Sequence, residues 1–285
     1  MRALAANIED VFREAAARWT LVAYFALSSL FILIFALSVN LDITNGALAG
    51  AKLFGKDLPM HGESVDLEKV VGAFESIFSG LLYPLATFLA VFATAHLVPR
   101  LQEKGTIDLY LSRPIARVPL LLSRYVAGLL LSAANLVYLI GSIWAIVIWK
   151  THVVHPRFLL AGVIILFTIA VLLASAFLIG VVTSSTAVCI MSTYAVFLFS
   201  AALAAHKQIA AVLSSDWSAG LVHALYWVFP KTTELGKAVV ALVSPAGEMP
   251  HELQNALTWS PFLTTGAFGA VCLILASWVF SRKDF

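Results

Sequence analysis

Residues 158–205 read FLLAGVIILFTIAVLLASAFLIGVVTSSTAVCIMSTYAVFLFSAALAA, 48 positions without Asp, Glu, Lys, Arg or His. Crossing about 30 Å of hydrocarbon takes about 20 apolar residues at 1.5 Å rise. The run is too long for one helix and right for two. Its only polar break is Thr183-Ser184-Ser185-Thr186, where a tight turn belongs. The stretch therefore predicts two consecutive spans, 158–182 and 187–205.

Outward from this pair, the remaining charge-poor runs predict spans at 19–41, 78–98, 121–149 and 260–281. Composition agrees: 61% of the 285 residues are hydrophobic and 12% are charged. A soluble domain carries about 25% charged residues, so a water-facing surface is excluded, and so is disorder. The expected fold is an all-α polytopic membrane protein with six transmembrane helices. Cys189 and Cys272 both lie in apolar runs and read as small hydrophobes rather than as a disulfide.

Basic residues orient the spans. Both termini share a side with the loops after spans 2 and 4, and that side holds ten Lys and Arg against six acids, or +4. The opposite side has eight against ten, or −2. Eight of the nine arginines lie on the first side. Both termini are expected to be cytoplasmic and the chain to be a multi-pass protein of the cell (inner) membrane. All seven Trp fall near span ends or in the outer loop, as interfacial belts require.

Residues 1–18 mix acidic and basic side chains and do not read as a cleaved signal. Ile8, Val11, Phe12, Ala15 and Trp19 recur at helical spacing, which predicts an interfacial elbow helix on the cytoplasmic leaflet. The outer segments, 42–77 and 206–259, are long. Asp66–Ile77 carries a helical stripe that should stack onto the second span. Trp217–Pro230 and Leu235–Val243 are short apolar pieces broken by Pro230 and Pro245, which predicts broken outer helices, re-entrant or interface-lying, between spans 5 and 6.

Several function classes find no support. Seven histidines lie mostly in outer segments, with no facing pair on one span to hold haem. His152 and His155 with His206 could form an external metal site, though loop histidines are the simpler reading. No G-x-S-x-G occurs, and no acid falls inside an expected span, which weighs against ion-coupled transport. Gly50-Ala-Lys-Leu-Phe-Gly55-Lys56 approaches a phosphate-binding loop, but Asp57 stands where a Mg²⁺-binding Ser or Thr is needed. This chain is expected to be non-catalytic, with no cofactor and no metal of its own. Thr87, Thr94, Ser132, Asn135, Ser175, Thr193 and Ser200 could line a path, but back-bonding or interhelical contact explains them more simply. Ala86, Ala90 and Thr94 have the spacing at which another helix approaches closely.

The most informative loop is 99–120, on the cytoplasmic side. Gly105 ends one helix and Thr106 can cap the next. Pro114 disfavours helical geometry at Arg113, so the enclosed helix spans Thr106 to Ser112. Ile107, Tyr110 and Leu111 share one face. Two turns of helix are not stable alone in water, so this one needs a protein surface. Pro119 suits the first turn of the following span.

These residues carry a resemblance. Leu81-Leu-Tyr-Pro84, Glu103-Lys-Gly-Thr-Ile107, Leu111-Ser-Arg-Pro-Ile-Ala-Arg117, Arg124-Tyr-Val-Ala-Gly128 and the closing Phe280-Ser-Arg-Lys-Asp-Phe285 resemble the membrane (permease) subunits of type-2 ABC transporters. The chain departs from them at Ala95–Arg100, where Pro99 stands in a stretch that elsewhere continues a helix. The resemblance implies that Thr106–Ser112 is a coupling helix seated in a separate ABC ATPase subunit. The docking residues would be Glu103, Gly105, Thr106, Ile107, Asp108, Tyr110, Leu111, Ser112, Arg113, Pro114 and Arg117. It also implies a second permease copy or a related subunit, ATP and Mg bound by the partner subunit, and export or movement of a substrate at the dimer interface. A passive channel or lipid scramblase without an ATPase is the alternative. No nucleic-acid partner is expected from so balanced a charge.

Overall fold

The computed structural model describes residues 19–44, 47–53, 56–57, 67–103, 116–212, 216–244 and 257–283. Its helices are α1 Trp19–Ser38, α2 Leu67–Thr94, α3 Leu97–Leu101, α4 Arg117–Thr151, α5 Pro156–Thr183, α6 Thr186–Leu203, α7 His206–Val212, α8 Asp216–Val228, α9 Thr232–Val243 and α10 Trp259–Arg282. Six are long and apolar enough to cross a membrane: α1, α2 continued by α3, α4, α5, α6 and α10. The six-span, all-α membrane body is the expected one. The elbow helix and the coupling helix lie outside the described residues.

Between α1 and α2 stands a small antiparallel sheet, β1 Val39–Thr44, β2 Ala47–Leu53 and β3 Lys56–Asp57, in the order β1-β2-β3. The sequence reading did not include it, because Ala47–Leu53 is rich in Ala and Gly, which are depleted in strands. A signal was present nonetheless. Thr44 pairs with Ala47, and the two residues between them are Asn45-Gly46, a strong hairpin dipeptide. Gly50 pairs with Asp42 inside this sheet, and Lys56 pairs with Leu53. The phosphate-loop look-alike thus has its lysine in a strand, not at the head of a helix.

Breaks in the helices have local causes. Pro99 has no N–H for the carbonyl of Ala95 and its ring crowds that carbonyl, so α2 stops at Thr94. Proline is tolerated within the first turn of a helix, and Pro99 sits there in α3. Between α5 and α6, Ser184 adopts a left-handed conformation (φ 52°) and its N–H donates to Gly180 O at 3.0 Å. That is the turn expected at Thr183–Thr186.

The bundle has two ends. The sheet face carries the end of α1, where Lys150 Nζ donates to Ala36 O at 2.6 Å. The loop face carries the α3–α4 connection, the α5–α6 turn and the end of α10. One apolar core fills the sheet-face half, built from α2, α4, α5 and α9 around Leu82, Leu139, Ile165 and Val239. A second fills the loop-face half, where Leu97, Val98 and Leu101 of α3 sink among Leu121, Phe177 and Phe280. Ala86, Ala90 and Thr94 are buried inside the chain, and Thr94 lies against Gly128 of α4. The small-residue stripe therefore serves packing within one chain.

Candidate functional site

At the loop face, side chains from four stretches converge. Gln102, at the end of α3, donates from Nε2 to Gly180 O at 2.9 Å. Its Oε1 accepts from Ser184 Oγ at 2.9 Å and from Lys283 Nζ at 2.5 Å. Lys283 also donates to Val181 O at 2.8 Å and to Ser184 Oγ at 3.0 Å. An ammonium has three donors, and all three are used. Two of these contacts lie at the last turn of α5, whose unpaired carbonyls favour a cation. Burial pulls the Lys283 ammonium below the usual lysine value.

Arg117 closes the same ring from the other side. It opens α4, and its Nη1 donates to Lys283 O at 2.7 Å and to Ser281 O at 3.2 Å, capping the end of α10. Residues 104–115 thus leave from α3, whose Leu97, Val98, Pro99 and Leu101 are buried, and return at a side chain bound to α10. Of the expected docking residues, Glu103 is exposed at the mouth of this segment and Arg117 is half-buried. Gly105, Thr106, Ile107, Asp108, Tyr110, Leu111, Ser112, Arg113 and Pro114 lie outside the described residues. Sequence reasoning did not single out Gln102, and it named Ser184 only as part of the expected turn and Lys283 only within the closing motif. Only the position of Lys283 just past a span offered a hint, since basic residues suit helix C-termini.

A second polar centre sits deep among the helices. Ser200 of α6 donates from Oγ to Pro230 O. The same oxygen accepts from Thr232 N–H at 3.1 Å and from Thr232 Oγ1 at 2.9 Å. Tyr83 Oη of α2 donates to Thr232 O at 2.6 Å, and Thr265 Oγ1 of α10 accepts from Lys231 N–H at 2.9 Å. The break between α8 and α9 is thereby stitched to three spans. Ser200 lies 16 residues beyond Ser184, about 24 Å along the helix. From the break α9 runs on for 12 residues, about 18 Å, and protein hydroxyls serve the backbone groups exposed there. Lys231 is buried, its Nζ 4.1 Å from the Trp227 ring centre and 4.5 Å from that of Tyr226, within cation–π range. Burial, and the Glu234 carboxylate that accepts from it, push the Tyr226 phenol above its usual value.

The third centre corrects the expectation that no acid lies inside a span. Glu75 is 3% exposed within the crossing stretch Val71–Leu101. Its Oε2 lies 3.0 Å from Nδ1 of His155, while Oε1 is without a partner among the described residues. Val71, Glu75, Phe78 and Leu82 share one buried stripe of α2, so the acid stands on the apolar face where sequence periodicity could have flagged it. His155 is therefore engaged with Glu75, while the ring of His206 stacks on Tyr226 at 3.8 Å.

The polar residues within the spans behave as the simpler reading has it. Thr87, Thr94, Ser132, Ser175 and Thr193 donate to carbonyls three or four residues back. Asn135 and Ser200 make interhelical contacts. A groove of about 240 Å³ opens between α2 and α6, lined by Pro84, Thr87, Phe88, Leu172 and Tyr194. Tyr194 stacks on Phe88 with ring centres 4.0 Å apart, and its hydroxyl donates to Phe88 O at 2.7 Å.

Comparison with curated proteins returns no match. Residues 11–285 match the family described as ABC-2 family transporter protein, a span that takes in all six crossing helices and the loop face. The chain belongs to that family and is the membrane subunit of an ABC transporter.

Proposed function

We propose that this permease subunit couples ATP hydrolysis by a separate ATPase subunit to the export or movement of a substrate at the interface of two permease copies, or of one copy and a related subunit. The loop face is cytoplasmic in this reading, with both termini there and the protein in the cell inner membrane. ATP and Mg²⁺ belong to the partner. Glu103, Gly105, Thr106, Ile107, Asp108, Tyr110, Leu111, Ser112, Arg113, Pro114 and Arg117 form or flank the docking surface, with Ile107, Tyr110 and Leu111 as its apolar contact.

The observation that carries the reading is the rooting of residues 104–115 at both ends. A docking segment transmits force only if its ends are fixed. Here one end continues from the buried α3 and the other from Arg117, bound to α10. A push on the segment would load α3, α4 and α10 together. Of the crossing helices, α1, α6 and α10 bury the least of their surface within one chain. The groove between α2 and α6 is our reason for putting the seam between copies at α6.

Polar replacement of Ile107, Tyr110 and Leu111 together tests the reading. Co-purification with the ATPase subunit should be lost while membrane insertion is unchanged. Unchanged association would overturn the docking assignment.

A further inference from the structure

We propose that Lys283 is a positioning residue that relays motion of the 104–115 segment to α6 by gripping the α5–α6 turn. The inference rests on the docking reading above and adds a route. Arg117, at the return of the segment, holds the carbonyl of Lys283. Gln102, at its departure, holds the ammonium of the same residue. Lys283 is thus bound from both ends of the segment, and its two remaining donors are on Val181 O and Ser184 Oγ.

The gripped turn is the cap of α5: Ser184 is a non-glycine residue at φ 52°, the left-handed conformation in which helices commonly end. Beyond it α6 is a peripheral helix, with few residues buried. Cys189 on α6 donates to Ala176 O of α5, and Tyr194 and Ser200 tie the rest of the helix to α2 and to the α8–α9 junction, so a displacement of the turn is passed along α6 as one body.

A labelled complex tests this. The full-length chain is purified in lipid nanodiscs with the ATPase subunit it retains, and an environment-sensitive fluorophore is attached at Met191→Cys, on the exposed face of α6. Cys189 and Cys272 are buried, so labelling is selective. The reading is the fluorescence change on trapping the complex with ATP and vanadate, beside the ATP hydrolysis rate. Lys283→Met should reduce the fluorescence change about fivefold or more, a usual coupling factor, with ATPase association retained and hydrolysis continuing. Lys283→Arg, which keeps the cation and its donors, should retain most of the change. Gln102→Met, which leaves the lysine on Val181 and Ser184, should give an intermediate value.

A full fluorescence change in Lys283→Met, or its loss in Lys283→Arg as well, overturns the relay. Loss of ATPase association in Lys283→Met also overturns it, since the residue would then belong to the docking surface. If the unmodified complex binds the ATPase and shows no nucleotide-dependent change at position 191, the relay fails while docking stands. If it retains no ATPase, the docking reading itself fails.

Discussion

Ser200→Ala should destabilise the protein far more than the loss of one hydroxyl suggests. A serine oxygen can donate once and accept twice, and Ser200 does all three, toward Pro230 O, Thr232 N–H and Thr232 Oγ1. Thr232 is the first residue of α9, so no carbonyl of that helix can serve its N–H. Removing the oxygen leaves this donor and the Pro230 carbonyl unserved. Each buried orphan costs about 1–3 kcal/mol, which for two sets a ceiling of about 6 kcal/mol. Interhelical hydrogen bonds in membranes average only about 0.6 kcal/mol, because the unfolded chain in the bilayer finds other partners. That mitigation is weak here, since Ser200 is 3% and Thr232 1% exposed and no alternative acceptor moves in without breaking α9. We expect about 2 kcal/mol of destabilisation, or a drop of about 4–8 °C in the thermal unfolding midpoint.

The assay is thermal unfolding of the detergent-solubilised protein, followed by size-exclusion of what stays folded. Thr232→Val completes a double-mutant cycle that isolates the hydroxyl–hydroxyl bond. Ser200→Ala within about 0.5 kcal/mol of the parent, the usual effect of an uninvolved surface site, would refute the reasoning. Additivity of the two changes within about 0.3 kcal/mol would refute the direct bond.

Two further outcomes follow from the packing. His155→Leu removes the imidazole 3.0 Å from the Glu75 carboxylate and should cost about 1–3 kcal/mol. Adding Glu75→Leu should restore most of the loss, because removing both members of a buried pair is often neutral; the same melting assay reads both. A Cβ at Gly128 would stand 2.8 Å from Leu97 Cδ1 and 3.3 Å from Leu173 Cδ2, whereas one at Gly141 meets nothing within 4 Å. Gly128→Ala should therefore destabilise by about 1–3 kcal/mol, while Gly141→Ala should be neutral or stabilise by up to about 1 kcal/mol. Equal midpoints for the two variants would contradict the close approach of α3 and α5 to α4.

The membrane class, the six spans and the turn at Thr183–Thr186 were legible in the sequence because each depends on local quantities. Apolar length sets whether a segment crosses, and a polar cluster in a charge-free run sets where it turns. The short helices between spans 5 and 6 were legible for the same reason, although their partners were not. The sheet at 39–57 was missed where alternation was weak, despite the Asn45-Gly46 signal.

The polar centres were another matter. Ser200 and Thr232 are 32 residues apart, Glu75 and His155 are 80 apart, and Gln102 and Lys283 are 181 apart. A serine that bonds its own helix and a serine that ties down a break between two other helices are the same residue in the same apolar context. Likewise, a lysine after a span reads as a membrane anchor whether its ammonium meets lipid or three protein oxygens. What the sequence determined by itself was which segments lie in the bilayer, since transfer free energy adds residue by residue along the chain. Only the tertiary structure decided which hydroxyl, carboxylate and ammonium groups are partnered. A hydrogen bond needs atoms within about 3 Å, and helix packing alone brings atoms so far apart in the chain to that distance.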